Sequence, residues 1–289
     1  MVQVAIIKSR VRVPSNSTLH YFLLAKCEDD KQLLLKTCGL TQVPDRRTID
    51  RRFPKLPLAQ IISRVGNRMI SEGTAEGESA SAGSSMIKAA GPVWHKSDTG
   101  RSRLPASGTD AGARWGRSKS KGRVFGRKLH MSCSTGKPVV PLSAGVSTAS
   151  VHDSSMREQL AEPLSGMLRN ALCDPAYDSS KLREFSSEKN LRLVAPVRRY
   201  RSTPPDRVLL AEFYSSAAGQ ELRASRKVSV EPLFGVMKDT FGIRTVPVKG
   251  FGSVRSFVLN CVLVYQLAVR YNCLTGNENP RFVKRMLGC

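Results

Sequence analysis

The segment SVRSFVLNCVLVYQLAVRYN, residues 253–272, constrains this chain more than any other. It is apolar nearly all round, and a helix of that kind has no face to offer water, so other elements must enclose it. Its longest apolar stretch, Phe257 to Val269, is shorter than a bilayer span and is interrupted by Asn260 and Gln266. The sequence therefore predicts a core helix and no membrane segment. With 289 residues and 40% apolar content, the chain can surround that helix and form one large domain plus a smaller one. The N-terminus, MVQVAIIKSRVRV, lacks the long apolar centre of an export signal, so a cytoplasmic location is expected.

Charge bounds the partner. Lys and Arg number 46 against 23 Asp and Glu, a formal net charge of +23, which predicts a polyanion and most simply nucleic acid. The chain has 7 cysteines with no CxxC pair, which excludes a zinc ribbon or knuckle and fits reduced thiols, several in apolar runs. The four histidines have no metal-ligand spacing.

Residues 1–72 read as a small helical region. KQLLLKTCGL closes on Gly39, VPDRRTIDRRF follows, and Leu58, Ile61, Ile62, Val65 and Met69 recur at helical spacing. A helix carrying Arg46, Arg47, Arg51 and Arg52 after a tight turn suits a helix-turn-helix-like DNA-binding element, or equally a solvated basic helix packed on the next domain. Residues 73–82 read as a linker or a degraded strand, because SEGTAEGESASAGSS is small and polar. Between 101 and 128 nine positive charges face Asp110 alone, and glycines keep the stretch loop-like. A basic loop of this kind suits phosphate-backbone contact through Lys119, Lys121 and Lys128.

RVFGRKLHMSC then alternates, with Lys128, His130 and Ser132 on one face, and the Ser134-Thr135-Gly136 turn leads into a second strand. Met156 to Leu168 is amphipathic, LRNALCD reads as a short buried strand, 179–190 as a helix and LRLVAPV as a strand. The order is α/β with a mixed sheet. Residues 197–225 have no clear pattern.

Two acids carry the chemistry. Asp174 follows a buried strand, where open sheets place catalytic groups, although a helix cap with Pro175 at the first helical position reads the same residues. Glu231 precedes Pro232, which places it at a helix start, and Lys238 lies on nearly the same face seven residues on.

GPVWHKSD (91–98), ARWGRSKSKGRVFGRKLH (113–130), VVPLSAGVSTASVHDS (139–154), LCDPAYDS (172–179) and RKVSVEPLFGVMK (226–238), in this order and spacing, resemble the DDE transposases of bacterial and archaeal insertion sequences. The resemblance runs from about Met86 to Asn272. It implies an RNase H-like mixed sheet flanked by helices over 83–272, with 273–289 as a C-terminal tail. It implies an enzyme that binds element-end DNA and catalyses Mg²⁺-dependent cleavage and strand transfer, with three acids holding two Mg²⁺ ions that activate the attacking oxygen. By matching motif the second acid is Asp174, the third is Glu231, and Lys238 contacts DNA near the reacting end.

The last segment is similar to a Y-R-E-K signature, with Lys227 at the Arg position and Ala224 at the Tyr position. Asp153 matches a family motif without a catalytic role, and a helix cap is its simplest reading. Trp94 and His95 suit stacking on a flipped base or a place in the core, and His130 suits phosphate contact. The implied partners are double-stranded DNA, as terminal inverted repeats and target, with a homodimer on DNA left open; the implied location is the prokaryotic nucleoid.

One departure stands out. The family places the first acid just before S-S-x-I-K-A-A-G-P-V-W-H, and here that position is Gly83. Losing one carboxylate of three predicts a weakened metal site and an inactive copy. The alternative function is a non-catalytic DNA-binding protein on the same fold.

Overall fold

The computed structural model describes residues 1–10, 13, 15–95, 97–98, 101, 103–118, 122–156, 168–197 and 205–284. Lys119, Lys121 and nearly all of the amphipathic stretch 156–168 lie outside these. The N-terminal helices are α1 (Val2–Arg10), α2 (Asn16–Leu24), α3 (Glu28–Thr37), α4 (Arg46–Arg52) and α5 (Leu58–Ser71). Gly39, at φ +61°, follows α3, and Asp45 caps α4 through the Arg47 amide. Val4, Leu19, Leu23, Ile49 and Phe53 form a small core of their own here. The domain limit expected at 72 does not follow packing, because α5 belongs to the main core. Its Gly66 lets it lie against β4 (Pro141–Thr148), where an added Cβ would sit 3.0 Å from Pro141 O.

The apolar segment is α9 (Phe251–Leu274), longer than the uninterrupted run suggests. By length and composition it is apolar enough to cross a bilayer, but 72% of its most apolar window is buried in the protein. The polar residues that interrupt it are cross-links. Asn260 Nδ2 donates to Ala5 O in α1, and Gln266 Nε2 donates to Ile62 O (2.9 Å) and Pro141 O (2.7 Å). A buried amide without such partners would be costly, so these bonds fix how α1, α5 and β4 pack around α9. The segment expected as a tail also contributes: Val283 is buried in the main core, and Asn272 Nδ2 holds Pro280 O at 2.9 Å.

The main sheet contains β1 (Ser79–Lys88), β2 (Arg114–Ser118), β3 (Gly122–Ser134), β4, β5 (Asn170–Leu172) and β6 (Arg192–Val194). Its path is β2-β3-β1-β5-β6, with β4 also paired to β3. Strands β4, β3 and β1 are antiparallel, whereas β1, β5 and β6 are parallel. This is the RNase H-like order β4-β3-β1-β5-β6, with β2 added beside β3. Helices α6 (Ser180–Glu188), α7 (Pro205–Ser215), α8 (Ala217–Asp239) and α9 flank the sheet; α7 and the start of α8 fall in the interval that had no pattern.

Two sequence expectations are corrected here. Residues 79–82 are neither linker nor degraded strand: β1 is a central strand paired on both sides, with Ala80, Ser81 and Ala82 buried. Its residues are small because α8 packs close above it. Ser229 Oγ of α8 donates to Ser81 Oγ at 2.7 Å, while Val230, Leu233, Phe234 and Met237 supply the apolar bulk. Tertiary packing thus overrides weak strand propensity.

Second, residues 114–118 and 122–128 are not loop but parts of the paired strands β2 and β3. Glycines in these strands allow backbones to approach. A Cβ at Gly126 would lie 2.0 Å from Ile87 O, and one at Gly116 would lie 2.2 Å from Ala149 O.

Candidate active site

Three elements converge beside the carboxyl end of β5. In the parallel register Ser81 pairs with Leu172, so Gly83 and Asp174 each lie two residues further along adjacent chains. Asp174 caps the short 3-10 turn Pro175–Tyr177, its Oδ1 accepting from the Ala176 amide at 2.8 Å. The helix-cap reading therefore holds, and it leaves Oδ2 facing a cleft. Glu231 comes from α8. The expectation of a helix start there is corrected: Glu231 is interior to a 23-residue helix that contains Pro232. Proline removes one hydrogen bond, to the Val228 carbonyl, and Val228 lies on an exposed part of the helix.

Gly83, Asp174, Glu231 and Lys238 line one cleft of about 690 Å³. A Cβ built on Gly83 points at α8, 3.3 Å from the Phe234 ring and 3.5 Å from a Val230 methyl, on the turn that carries Glu231. The position without an acid therefore lines the same cleft as the two acids present, against the Val230 and Phe234 side chains.

A family model described as the transposase DDE domain matches residues 95–267, more than half of the chain. The chain belongs to this transposase family. Asp174, Glu231 and Lys238 fall inside the match, and β1 with Gly83 precedes it. No curated protein matches the sequence. Among solved structures, the chain is similar to the piggyBac transposase in a synaptic complex with hairpin DNA, at 12% identity and a TM-score of 0.42, covering 99% of this chain and 68% of that one. It is also similar to the Mos1 transposase in a paired-end complex with the left transposon end, at 10% identity and a TM-score of 0.24, covering 91% and 78%.

In this transposase-family chain the cation between the acids is Arg226, which the sequence reading missed. Its Nη1 is 3.4 Å from Glu231 Oε1 and its Nη2 is 4.0 Å from Asp174 Oδ2. Lys227, expected at the signature's Arg position, is exposed and is not among the residues lining the cleft. The missed signal was the basic pair Arg226-Lys227: the signature spacing selects Lys227, whereas helix geometry turns Arg226 into the cleft.

The residues present do not fit a two-metal centre. Two carboxylates share a guanidinium, and among the described residues no group of three His, Cys, Asp or Glu is placed to hold a metal ion. Asp153 lines the cleft too, and nearly all of the helix it was expected to cap lies outside the described residues. Asp153 accepts from Ser84 Oγ and from Lys128 Nζ, both at 2.9 Å.

Several expected DNA contacts are corrected. His130 is fully buried, with Nε2 2.8 Å from Ser147 Oγ, and desolvation pushes its pKa down to about 4. It cannot reach a phosphate. Lys128 is nearly buried and holds Val151 O as well as Asp153, so it serves the fold before any ligand. Trp94 is half-buried and presents its backbone: its carbonyl accepts from Trp115 Nε1 at 2.9 Å. Trp115 instead lines a second cleft of about 680 Å³, shared with His95, Arg117 and Arg123. Arg46, Arg47, Arg51 and Arg52 are exposed on α4, and Asp50 partly neutralises Arg46 at 3.6 Å.

The buried thiols of Cys133, Cys173 and Cys261 are each pushed up to about 12 by desolvation, so they are not thiolates at neutral pH.

Proposed function

We propose that this chain binds double-stranded DNA as a transposase-family protein and does not itself cut it. The observation that carries this reading is the cleft: Asp174 and Glu231 converge, Gly83 stands at the third position, and Arg226 lies between the two acids. The family's phosphoryl transfer needs a complete set of oxygen ligands to order the attacking and leaving oxygens. This chain's own residues supply cations instead. Arg117, Arg226 and Lys238 in the acid cleft, Arg123 in the neighbouring one and the arginines of α4 suit the phosphate backbone. A net charge of +23 and membership of a transposase family support DNA as the partner. Terminal repeats, a homodimer on paired ends and a nucleoid location belong to this proposal.

The reading is tested by titrating the full chain against a fluorescent duplex over a salt series. If about six phosphates are neutralised, log K falls with log salt at a slope near about −5. A slope near zero contradicts phosphate-driven binding.

A second reading keeps catalysis, with Asp153 as the third acid, because Asp153 opens onto the same cleft. Against it, both Asp153 oxygens are engaged, by Ser84 and by Lys128. Under this reading Asp153→Asn abolishes DNA cleavage; under the first there is no cleavage to abolish.

A further inference from the structure

Among the described residues lining the acid cleft, the acids Asp153, Asp174 and Glu231 face Arg117, Lys128, Arg226 and Lys238, so positive charge exceeds negative charge before any ion enters. Asp153 is balanced locally by Lys128. The remaining pair, Asp174 and Glu231, converges on the Arg226 guanidinium. Arg226 is partly enclosed there: its side chain is only 17% exposed, and it rises from α8 within two turns of Glu231.

A divalent ion entering this space would meet a guanidinium within 4.0 Å of both carboxylates and would have to displace it. At such distances repulsion between like charges is substantial even at high dielectric. Losing the acid at position 83 removes the counter-charge that would favour that exchange.

We propose that Arg226 takes the place of divalent metal in this cleft: it balances Asp174 and Glu231, and it lets the cleft receive a DNA phosphate without a metal ion. The second half of this inference rests on the DNA-binding reading above; the first half does not. A guanidinium fork matches both carboxylate and phosphate oxygens, so one group can hold the acids together and turn an N–H edge toward an entering phosphate.

Metal uptake by the DNA-free full chain is the test, with Mn²⁺ as the probe and calorimetry as the readout. The unmodified chain is expected to show no saturable uptake. Arg226→Gln is expected to raise Mn²⁺ affinity by about tenfold or more, because a positive charge beside the site is gone. Adding Asp174→Asn to that variant is expected to remove the gain. Saturable uptake by the unmodified chain that Asp174→Asn abolishes would overturn the proposal, and so would an Arg226→Gln variant that folds and takes up no more than its parent.

If Arg226→Gln does not fold, the melting temperature of the unmodified chain with and without Mn²⁺ decides. No shift is expected, and a saturable rise that Asp174→Asn removes overturns the proposal. Duplex affinity in EDTA and in Mg²⁺ tests the second half, with equal affinities expected and a strong Mg²⁺ requirement contradicting it. A chain that binds no DNA under either condition defeats the DNA-binding reading and this second half, while the Mn²⁺ result stands by itself.

Discussion

Two arginine–carboxylate clusters differ in how far the fold encloses them. Arg127 and Asp110 are sealed: their side chains are 1% and 2% exposed, Arg127 Nη2 reaches both carboxylate oxygens at 3.0 Å, and the Gly112 and Gly250 amides complete Asp110's shell. Arg226 with Asp174 and Glu231 is open: the acids are 35% and 60% exposed, and the contacts are 4.0 and 3.4 Å. The sealed pair ties the loop before β2 to β3 and to the start of α9, and is enclosed away from any ligand. The open cluster is loosely held and faces a cleft. The same chemical groups thus serve as a structural lock in one place and as an adaptable surface in the other, and enclosure separates the two roles.

The largest expected effect would come from breaking the lock. Arg127→Ala leaves Asp110 buried without its counter-charge and should cost about 3–5 kcal/mol, read from the urea midpoint. A loss below about 1 kcal/mol would erase the contrast between the clusters.

Next comes a buried histidine beside the cleft. His130 is buried behind Asp153 and held neutral, its pKa down at about 4 against 6.5 in the unfolded chain. Between those values the unfolded state binds more protons, so stability should fall as pH drops from above 6.5 toward 4. The loss amounts to about 3 kcal/mol at most. Urea midpoints across this range should drop more for the unmodified chain than for His130→Gln, and parallel curves would contradict the assignment.

Gly126→Ala should cost about 1–3 kcal/mol, because its new Cβ meets the Ile87 carbonyl, a backbone atom that cannot step aside. The smallest effect is expected at the open cluster: Arg226→Gln should change stability by about 1 kcal/mol or less, since the pair is solvent-screened. A loss as large as that of Arg127→Ala would make Arg226 a second lock.

Much of this arrangement was legible in the sequence. The all-round apolar segment announced α9, and Asn260 and Gln266 marked where its cross-links fall. The alternation of strand and helix gave the mixed sheet. What stayed hidden depended on partners distant in sequence. The small residues of β1 look unfit for a strand until α8 is packed above them. Gly116 reads as a loop former because the Ala149 carbonyl it approaches is distant in sequence. His130 shares an alternating face with Lys128, but burial on both faces of β3 cannot be inferred from alternation alone. Among the cleft residues, the placement of Asp174 and Glu231 could be anticipated from motif spacing, whereas Arg226 needed the helical rotation that only the packed α8 defines.

The central claim is that Gly83 leaves the acid cleft one carboxylate short. Its most direct test is nicking of supercoiled plasmid in Mg²⁺ by the unmodified chain, by Asp174→Asn and by Gly83→Asp. No nicking above buffer is expected from the first two, with activity gained in Gly83→Asp. Mg²⁺-dependent nicking by the unmodified chain that Asp174→Asn abolishes would contradict the account.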